Sequence, residues 1–508
     1  MRNISEAKRR LAANISTNVL VVVISAIIGF WITSYLIRNL GVEVYGMIPL
    51  VISFIAYFNL FTMSISNAVS RYIAIHLNRG EVDLGSTYFS SAIIALIGLC
   101  WILFIPVIIL STFFSMLFQV PVGYEKETGW LFLYIISSSF ITAITSPLLA
   151  STFITHRFDL SNIVKTLSYI LRAGFLVLCF HYFSPSLEYV GVSYFLMALF
   201  TLVSSVALTR FLTPQLKLKW KLFKWSAIRE MGRMSAWIAV NQVGALLYVG
   251  IGLLVIDVIL GPEACGHYAP ITLWITLLGT LGAAVSDVFT PIAFDYIAHN
   301  QVHVLAQQIR RATKFLAIIM SFPVGLLCGL SAPILQKWLG SDFADLSPLA
   351  WLLVGPWIVN ISIRPMFAIC RGLDKVKIPA LVTIVGGLAN VILSVLLVKH
   401  THLGIYGIAL SLTVCLVAKN LFFTPVYAAI ITNQPKTIFL NGIVSGIVMT
   451  GLLSLSALGL SKLCDLTTIP RLTLICILLL IVYGSMCYFV VLKKHERALL
   501  YSLLSRSR

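Results

Sequence analysis

Charge is rare inside the long apolar runs of this 508-residue chain, so the few ionisable residues found there mark where chemistry can occur. Arg172 stands in Leu167-Ser168-Tyr169-Ile170-Leu171-Arg172-Ala173-Gly174, with apolar sequence on both sides. Its guanidinium presents a planar fork of donors that matches oxyanions; the other option is a structural arginine bonded to backbone carbonyls or a carboxylate. Arg364, just before Pro365, offers the same fork, although its depth also allows snorkelling to the interface. Arg71 and Arg233 lie at the ends of runs, where they either ring an entrance for an anion or simply mark the basic side of a membrane. Asp287, in Val285-Ser286-Asp287-Val288, is an acid well inside an apolar run. It is placed either to carry a coupling proton or sodium ion or to pair with one of the arginines. Asp295 and Asp257 fall near run ends and read as interfacial. Asn18, Asn67, Asn241 and Gln242 carry amides able to bond a polar ligand, or equally to join neighbouring helices.

The elements that hold these residues follow from composition. The chain is 59% hydrophobic and 11% charged, against about 45–50% and 25% in soluble proteins. It cannot clothe a water-facing surface of its size, which excludes soluble enzymes, nucleic-acid binders and disordered scaffolds. A span needs about 20 mostly apolar residues. Fourteen such stretches occur, near 16–38, 45–70, 86–115, 129–154, 160–183, 190–212, 232–260, 266–295, 313–338, 347–370, 378–399, 405–431, 437–461 and 471–492. They are continuous runs, not the alternating ten-residue strands of a barrel. With both termini on one side, that side collects about 29 of the 36 Lys and Arg residues, which predicts cytoplasmic termini. The net charge of +18 is therefore topology and implies no nucleic-acid partner. Met1 to Arg10 is basic, lacks a small-residue cleavage site and reads as the start of an uncleaved first helix. The nine cysteines are scattered, form no CxxC pair, and suggest neither disulfides nor a metal site.

An internal repeat organises the spans. Leu40-Gly41-Val42-Glu43-Val44-Tyr45-Gly46 matches Leu260-Gly261-Pro262-Glu263-Ala264-Cys265-Gly266 as LGxExxG, at an offset of 220. Tyr72-Ile73-Ala74 matches Tyr296-Ile297-Ala298 at 224, a register that sets Asp295 against Arg71 and suggests a pair closing a gate. The turn Arg157-Phe158-Asp159 faces Gly372-Leu373-Asp374 at 215, and Leu187–Gly191 faces Leu403–Gly407 at 216. Six spans separate the copies, so both halves share one orientation, as in transporters whose substrate site lies near the midplane between two rocking lobes. The expected division is a six-helix lobe over 1–212, a basic linker over 213–231, a second lobe over 232–431, and two added spans with a tail over 432–508. Trp220 and Trp225 among the lysines of the linker place it on the cytoplasmic interface, where anionic lipids attract it.

The Leu40–Gly46 turn, the Ser70-Arg71-Tyr72-Ile73-Ala74 end of span two and the repeated outer turns resemble those of the Wzx-type polysaccharide flippases. That family is grouped with the MATE exporters and the MurJ-type lipid II flippases. The resemblance implies an all-α fold of two six-helix bundles in a V, with two extra helices, in a bacterial cytoplasmic membrane. It implies, as activity, transfer of a polyprenyl-diphosphate-linked oligosaccharide to the outer leaflet for cell-surface polysaccharide such as O-antigen. Arg172, Arg364, Arg71 and Arg233 would then meet the diphosphate, and Asn18, Asn67, Asn241 and Gln242 the sugars. Asp287 and Asp295 would serve a coupling ion or a gate. No cofactor is expected beyond H+ or Na+. The expected partners are the lipid-linked sugar, anionic lipids, and a polysaccharide polymerase or ligase.

Two alternatives remain open. A MATE-like cation-coupled drug exporter would favour an acidic cavity, whereas basic candidates slightly outnumber acidic ones here. A membrane polymerase or ligase needs a large outer catalytic loop. The longest outer loop is only about Phe118 to Thr128, with Glu125 and Glu127 as its carboxylates. No GxxxxGK[ST] phosphate loop occurs, so nucleotide hydrolysis is unsupported and the chain reads as a non-enzyme.

Overall fold

A computed structural model of the chain describes residues 2–286, 289–463 and 468–488. Among the described residues the chain is helical, with short turns and no strand. Hydrocarbon offers no partner for backbone N–H and C=O groups, and a helix satisfies them within its own segment. Thirteen helical segments are long and apolar enough to cross a bilayer. They are Ser16–Leu40, Val42–Thr62, Val82–Thr112, Glu125–Thr145, Phe158–Tyr182, Leu187–Leu212, Ala239–Leu260, Pro262–Ser286, Val302–Gly329, Ser341–Ser362, Lys377–His400, Ile405–Ile431 and Leu440–Leu463. These are spans one to thirteen of the sequence reading, in order. The fourteenth is described only as the shorter apolar helix Pro470–Met486, because the described residues stop at 488. The protein is an all-α polytopic membrane protein.

Contacts group the chain into two compact units, Met1–Pro270 with Ala380–Ile408, and Ile271–Pro379 with Ala409–Arg508. In the first, Ile65, Val69 and Ile73 of span two pack with Phe89, Ile93 and Leu96 of span three and with Ile228 and Met231. In the second, spans nine and thirteen lie close because small residues face each other. A Cβ on Gly329 would stand 2.5 Å from that of Ala457, and one on Gly446 2.8 Å from that of Ala317. Ser321 donates to the Gly446 carbonyl at 2.9 Å, and Tyr483 of span fourteen donates to the Ile318 carbonyl at 2.6 Å.

The repeat is written in the backbone more clearly than in the side chains. Gly41 and Gly261 both enter their helices with positive φ, 83° and 91°. Gly80 and Asn300 repeat at the next turn, φ 77° and 56°, and His156 and Asp374 at a third, φ 54° and 55°. Each of these last two turn pairs closes with the same 6→1 hydrogen bond. Glu81 donates to His76 at 2.9 Å as Gln301 does to Tyr296 at 2.8 Å; Arg157 donates to Thr152 at 2.9 Å as Lys375 does to Cys370 at 2.8 Å. The register is therefore 220 from Gly41 through Gly80, and 218 at the third turn. This corrects two sequence alignments. Ile75, not Arg71, stands opposite Asp295, one helical turn from the 224 register. The third turn aligns His156 with Asp374 instead of Asp159 with Asp374. A three-residue match inside an apolar helix can slip by a turn; a left-handed residue with its hydrogen bond cannot.

The two LGxExxG copies also touch, within the first unit. A Cβ on Gly46 would fall 2.1 Å from the Pro262 carbonyl oxygen, and one on Gly266 2.1 Å from that of Val42. Only glycine lets the backbones approach so closely. Gly46→Ala and Gly266→Ala must push the helices apart, and each is expected to destabilise by about 1–3 kcal/mol. Gly98→Ala, where nothing lies within 4 Å, is the control. Thermal unfolding in detergent should show a lowered midpoint for the first two only; equal midpoints for all three would refute the close approach.

Candidate functional site

Arg172 lies on the span-five helix Phe158–Tyr182, and its guanidinium carbon sits 3.8 Å from the ring centroid of Tyr194 on span six. Tyr194 is seven residues inside its helix, about 10 Å of axial rise, so the charge is held at hydrocarbon depth. The stack is a cation–π contact. Nε is buried and makes no hydrogen bond. Tyr45 of span two, hydrogen-bonded to Thr33 of span one, lies within electrostatic reach of both Arg172 and Tyr194.

In the second unit, Arg364 stands at the break between the short helices Trp357–Ser362 and Met366–Gly372 of span ten. Pro365 makes that break by removing a backbone donor. Nη2 of Arg364 and Nε1 of Trp357 lie 3.6 and 3.7 Å from the point where Gly279 of span eight would carry a Cβ, so both pack against that glycine. Four residues before Arg364, Asn360 accepts a 2.9 Å bond from Nδ2 of Asn420 on span twelve. Asn420 belongs to a π-helical turn, Ala418–Phe423, a distortion that recurs at functional sites. The same turn carries Lys419, a half-buried cation in the interior of span twelve. The sequence reading passed over Lys419, although a lone lysine in an apolar run was the available signal.

Asp257, three residues from the end of span seven, is fully buried within the protein. Its Oδ2 accepts the backbone N–H of Gln119 at 3.0 Å, and the Gln119 side chain donates to the Val258 carbonyl at 3.0 Å. Oδ1 has no hydrogen-bond partner. The carboxylate ties the segment after span three to the end of span seven.

The other candidates are placed less deeply. Arg71 and Arg233 are exposed, but they lie about two turns inside the helices Val42–Asn78 and Trp225–Val249 and not at helix ends as the sequence suggested. Asp295 is exposed and pairs with His299 of its own helix at 3.5 Å. Asn18 and Asn241 are exposed and Gln242 is half-buried. Asp287 and the side chain of Asn67 lie outside the described residues. Eight cysteines are described, all free, with Cys100, Cys265, Cys328, Cys370 and Cys487 buried; Cys464 lies outside the described residues. At the turn before span five, Arg157 binds Asp159 at 3.0 Å, and that hydrogen bond raises the guanidinium above its ordinary range. The structure thus groups Arg172 with Tyr194 and Tyr45 in one unit, and Arg364 with Trp357 and Gly279 in the other.

Helices that cross the membrane in number, a duplicated backbone and cations within the spans define the class: a polytopic membrane protein with the fold of flippases and exporters. Residues 11–296 match the model of a family described as polysaccharide biosynthesis protein, and the chain belongs to that family. It is 30% identical over 436 residues to the uncharacterized membrane protein EpsK of Bacillus subtilis (strain 168), covering 86% of each chain. Two solved structures share the fold over nearly their whole length. An inward-facing multidrug resistance MATE family transporter of the MOP superfamily has a TM-score of 0.63 at 14% identity, with 88% of this chain and 98% of that one covered. The lipid II flippase MurJ in an inward closed conformation has 0.62 at 14% identity, with 93% and 99% covered.

Asp257→Ala leaves the Gln119 N–H without its charged acceptor and is expected to cost about 1.5–3 kcal/mol. Asp257→Asn keeps an acceptor oxygen in place and should cost far less. Thermal unfolding of the three proteins in detergent compares them; equal losses in both variants would show that the charge, not the bond, matters.

Proposed function

We propose that this protein is a flippase that carries a polyprenyl-diphosphate-linked oligosaccharide from the cytoplasmic to the outer leaflet of a bacterial cytoplasmic membrane. Family membership and the flippase-and-exporter fold support transport of a polysaccharide precursor. The observation that carries the choice of an anionic head group is Arg172. Its guanidinium lies over the Tyr194 ring with Nε unpartnered, so it keeps a donor to offer, and its fork is of the kind that pairs with two phosphate oxygens. Lys419 adds a cation within span twelve and Arg364 one just past the end of span ten, and Arg71 and Arg233 are the proposed entry ring on the cytoplasmic side. Asn18, Asn67, Asn241 and Gln242 are proposed for the sugars. The two repeat halves would act as lobes in alternating access, driven by H+ or Na+ through Asp287 or Asp295. The excess of Lys and Arg on one side supports cytoplasmic termini, and a polymerase or ligase taking the delivered sugar is the proposed partner.

A second reading, export of organic cations, rests on one specific observation: Asp257, a carboxylate fully buried in span seven with one oxygen unpartnered. The fold itself does not choose, since the MATE transporter and the lipid II flippase match equally well. Flipping of a lipid-linked oligosaccharide in proteoliposomes decides. Wild type should flip; Arg172→Ala should lose about tenfold or more. Arg172→Lys should lose comparably, because an ammonium lacks the planar fork. Full activity in Arg172→Ala would remove that residue from the site. A wild type that moves organic cations and no lipid-linked sugar would overturn the flippase reading.

A further inference from the structure

The basic linker between spans six and seven is a fixed surface. Leu216 is buried in the core beside Phe89 and Ile93. From there three serines in the first turns of span three hold the backbone. Ser86 accepts from the Lys217 N–H at 3.3 Å. Ser90 donates to the Lys217 carbonyl at 3.0 Å and accepts from the Lys219 N–H at 3.1 Å. Ser91 accepts from the Lys224 N–H at 2.9 Å. Between these attachments runs Lys217-Leu218-Lys219-Trp220-Lys221-Leu222-Phe223-Lys224-Trp225. All four lysines are exposed, Trp220 is 70% and Trp225 69% exposed, and Leu218 and Phe223 are exposed as well.

No acidic residue occurs from Thr213 to Arg229. Of the carboxylates at this end of the helices, Glu81 pairs with His76 at 2.6 Å and Glu230 accepts from the Tyr88 hydroxyl at 2.5 Å, while Asp83 in the first turn of span three is exposed and pairs with none of the four lysines. None of the four lysines forms an ion pair among the described residues. Four ammonium groups are therefore left for an external anion, and indole rings stand beside them. The segment joins the ends of two membrane-crossing helices, so it lies at the level of lipid head groups, where tryptophan settles and anionic lipid attracts lysine.

We propose that Lys217, Lys219, Lys221 and Lys224, with Trp220 and Trp225, form a preordered binding shelf for the phosphates of anionic lipids in the adjoining leaflet. Order already present in the free protein need not be imposed on binding, so the serine bonds favour the lipid-bound state. The shelf depends on the protein being embedded in a membrane and not on which substrate it carries.

The test uses the full-length protein in vesicles of phosphatidylcholine doped with brominated phosphatidylglycerol or brominated phosphatidylcholine. The readout is quenching of the tryptophan emission that is absent from Trp220→Phe/Trp225→Phe. Wild type should prefer the glycerol lipid by about fivefold or more, and high salt should weaken the preference. Lys217→Gln/Lys219→Gln/Lys221→Gln/Lys224→Gln, at surface positions, should fold normally and lose the preference while still being quenched. Ser90→Ala/Ser91→Ala should reduce it with every charge retained. Equal quenching of wild type by both lipids would overturn the proposal, as would a preference surviving in the glutamine variant. Quenching by neither lipid would also overturn it and point to an acidic soluble partner on this face.

Discussion

The constraint on which the rest of this structure depends is that hydrocarbon accepts no hydrogen bonds. Every backbone amide within the spans must find its carbonyl inside its own helix, so the described spans are helical and the turns lie between them. The departures are few and each has a local cause. Pro147 and Pro365 stand just past the ends of spans four and ten, where they interrupt the helix, and the surrounding amides turn to carbonyls three residues back. Ser146 donates to Ala143 and Arg364 to Ile361, both at 3.1 Å, and the bonds that follow repeat in step. The π-helical turn at Ala418–Phe423 loosens span twelve where Asn420 reaches Asn360. With the backbone satisfied internally, helices associate through close approach, and glycine at positions 46, 266, 329 and 446 permits it.

Much of this was legible in the sequence because the bilayer imposes a coarse rule. Runs of about 20 apolar residues are hard to miss, and thirteen of the fourteen expected spans have full-length helices. LGxExxG was the right repeat signal because its glycines carry a backbone need, a positive φ at Gly41 and Gly261 and a near-contact at Gly46 and Gly266. Side-chain matches such as Tyr-Ile-Ala misled by one turn, since nothing in an apolar helix pins their register. Charge was half legible. Arg172 was found from depth, but its stacking on Tyr194 depends on which faces of spans five and six meet. The place of Asp257 near a helix end was legible, but what covers it was not; the Gln119 segment does. Lys419 carried the same sequence signal as Arg172 and went unread.

The duplicated backbone makes the unduplicated chemistry informative. In the 218 register fixed by His156 and Asp374, Arg172 corresponds to Asn390, which donates to the carbonyls of Leu247 and Tyr248 at 3.0 and 3.2 Å. One copy thus uses the position for packing, and the other places a cation there over an aromatic ring. Arg364 corresponds to Ser146, whose hydroxyl bonds Ser66 at 2.9 Å. Asp257, in the 220 register, corresponds to Ile37, a buried apolar residue. The region of span six facing Lys419 in the repeat, Thr201-Leu202-Val203, holds no charge. Geometry common to both halves is explained by the fold alone, because each half must build the same helical hairpins. A charge placed in the hydrocarbon of one half and absent from the other has no such structural cause, and burial makes it costly to keep. Positions of this kind are where a requirement of the cargo, as distinct from the scaffold, would show. Of the four compared here three are cationic, the sign an anionic head group would demand; the fourth, Asp257, has a structural bond to Gln119, and in the sequence a further acid, Asp287, falls opposite Asn67 in the 220 register.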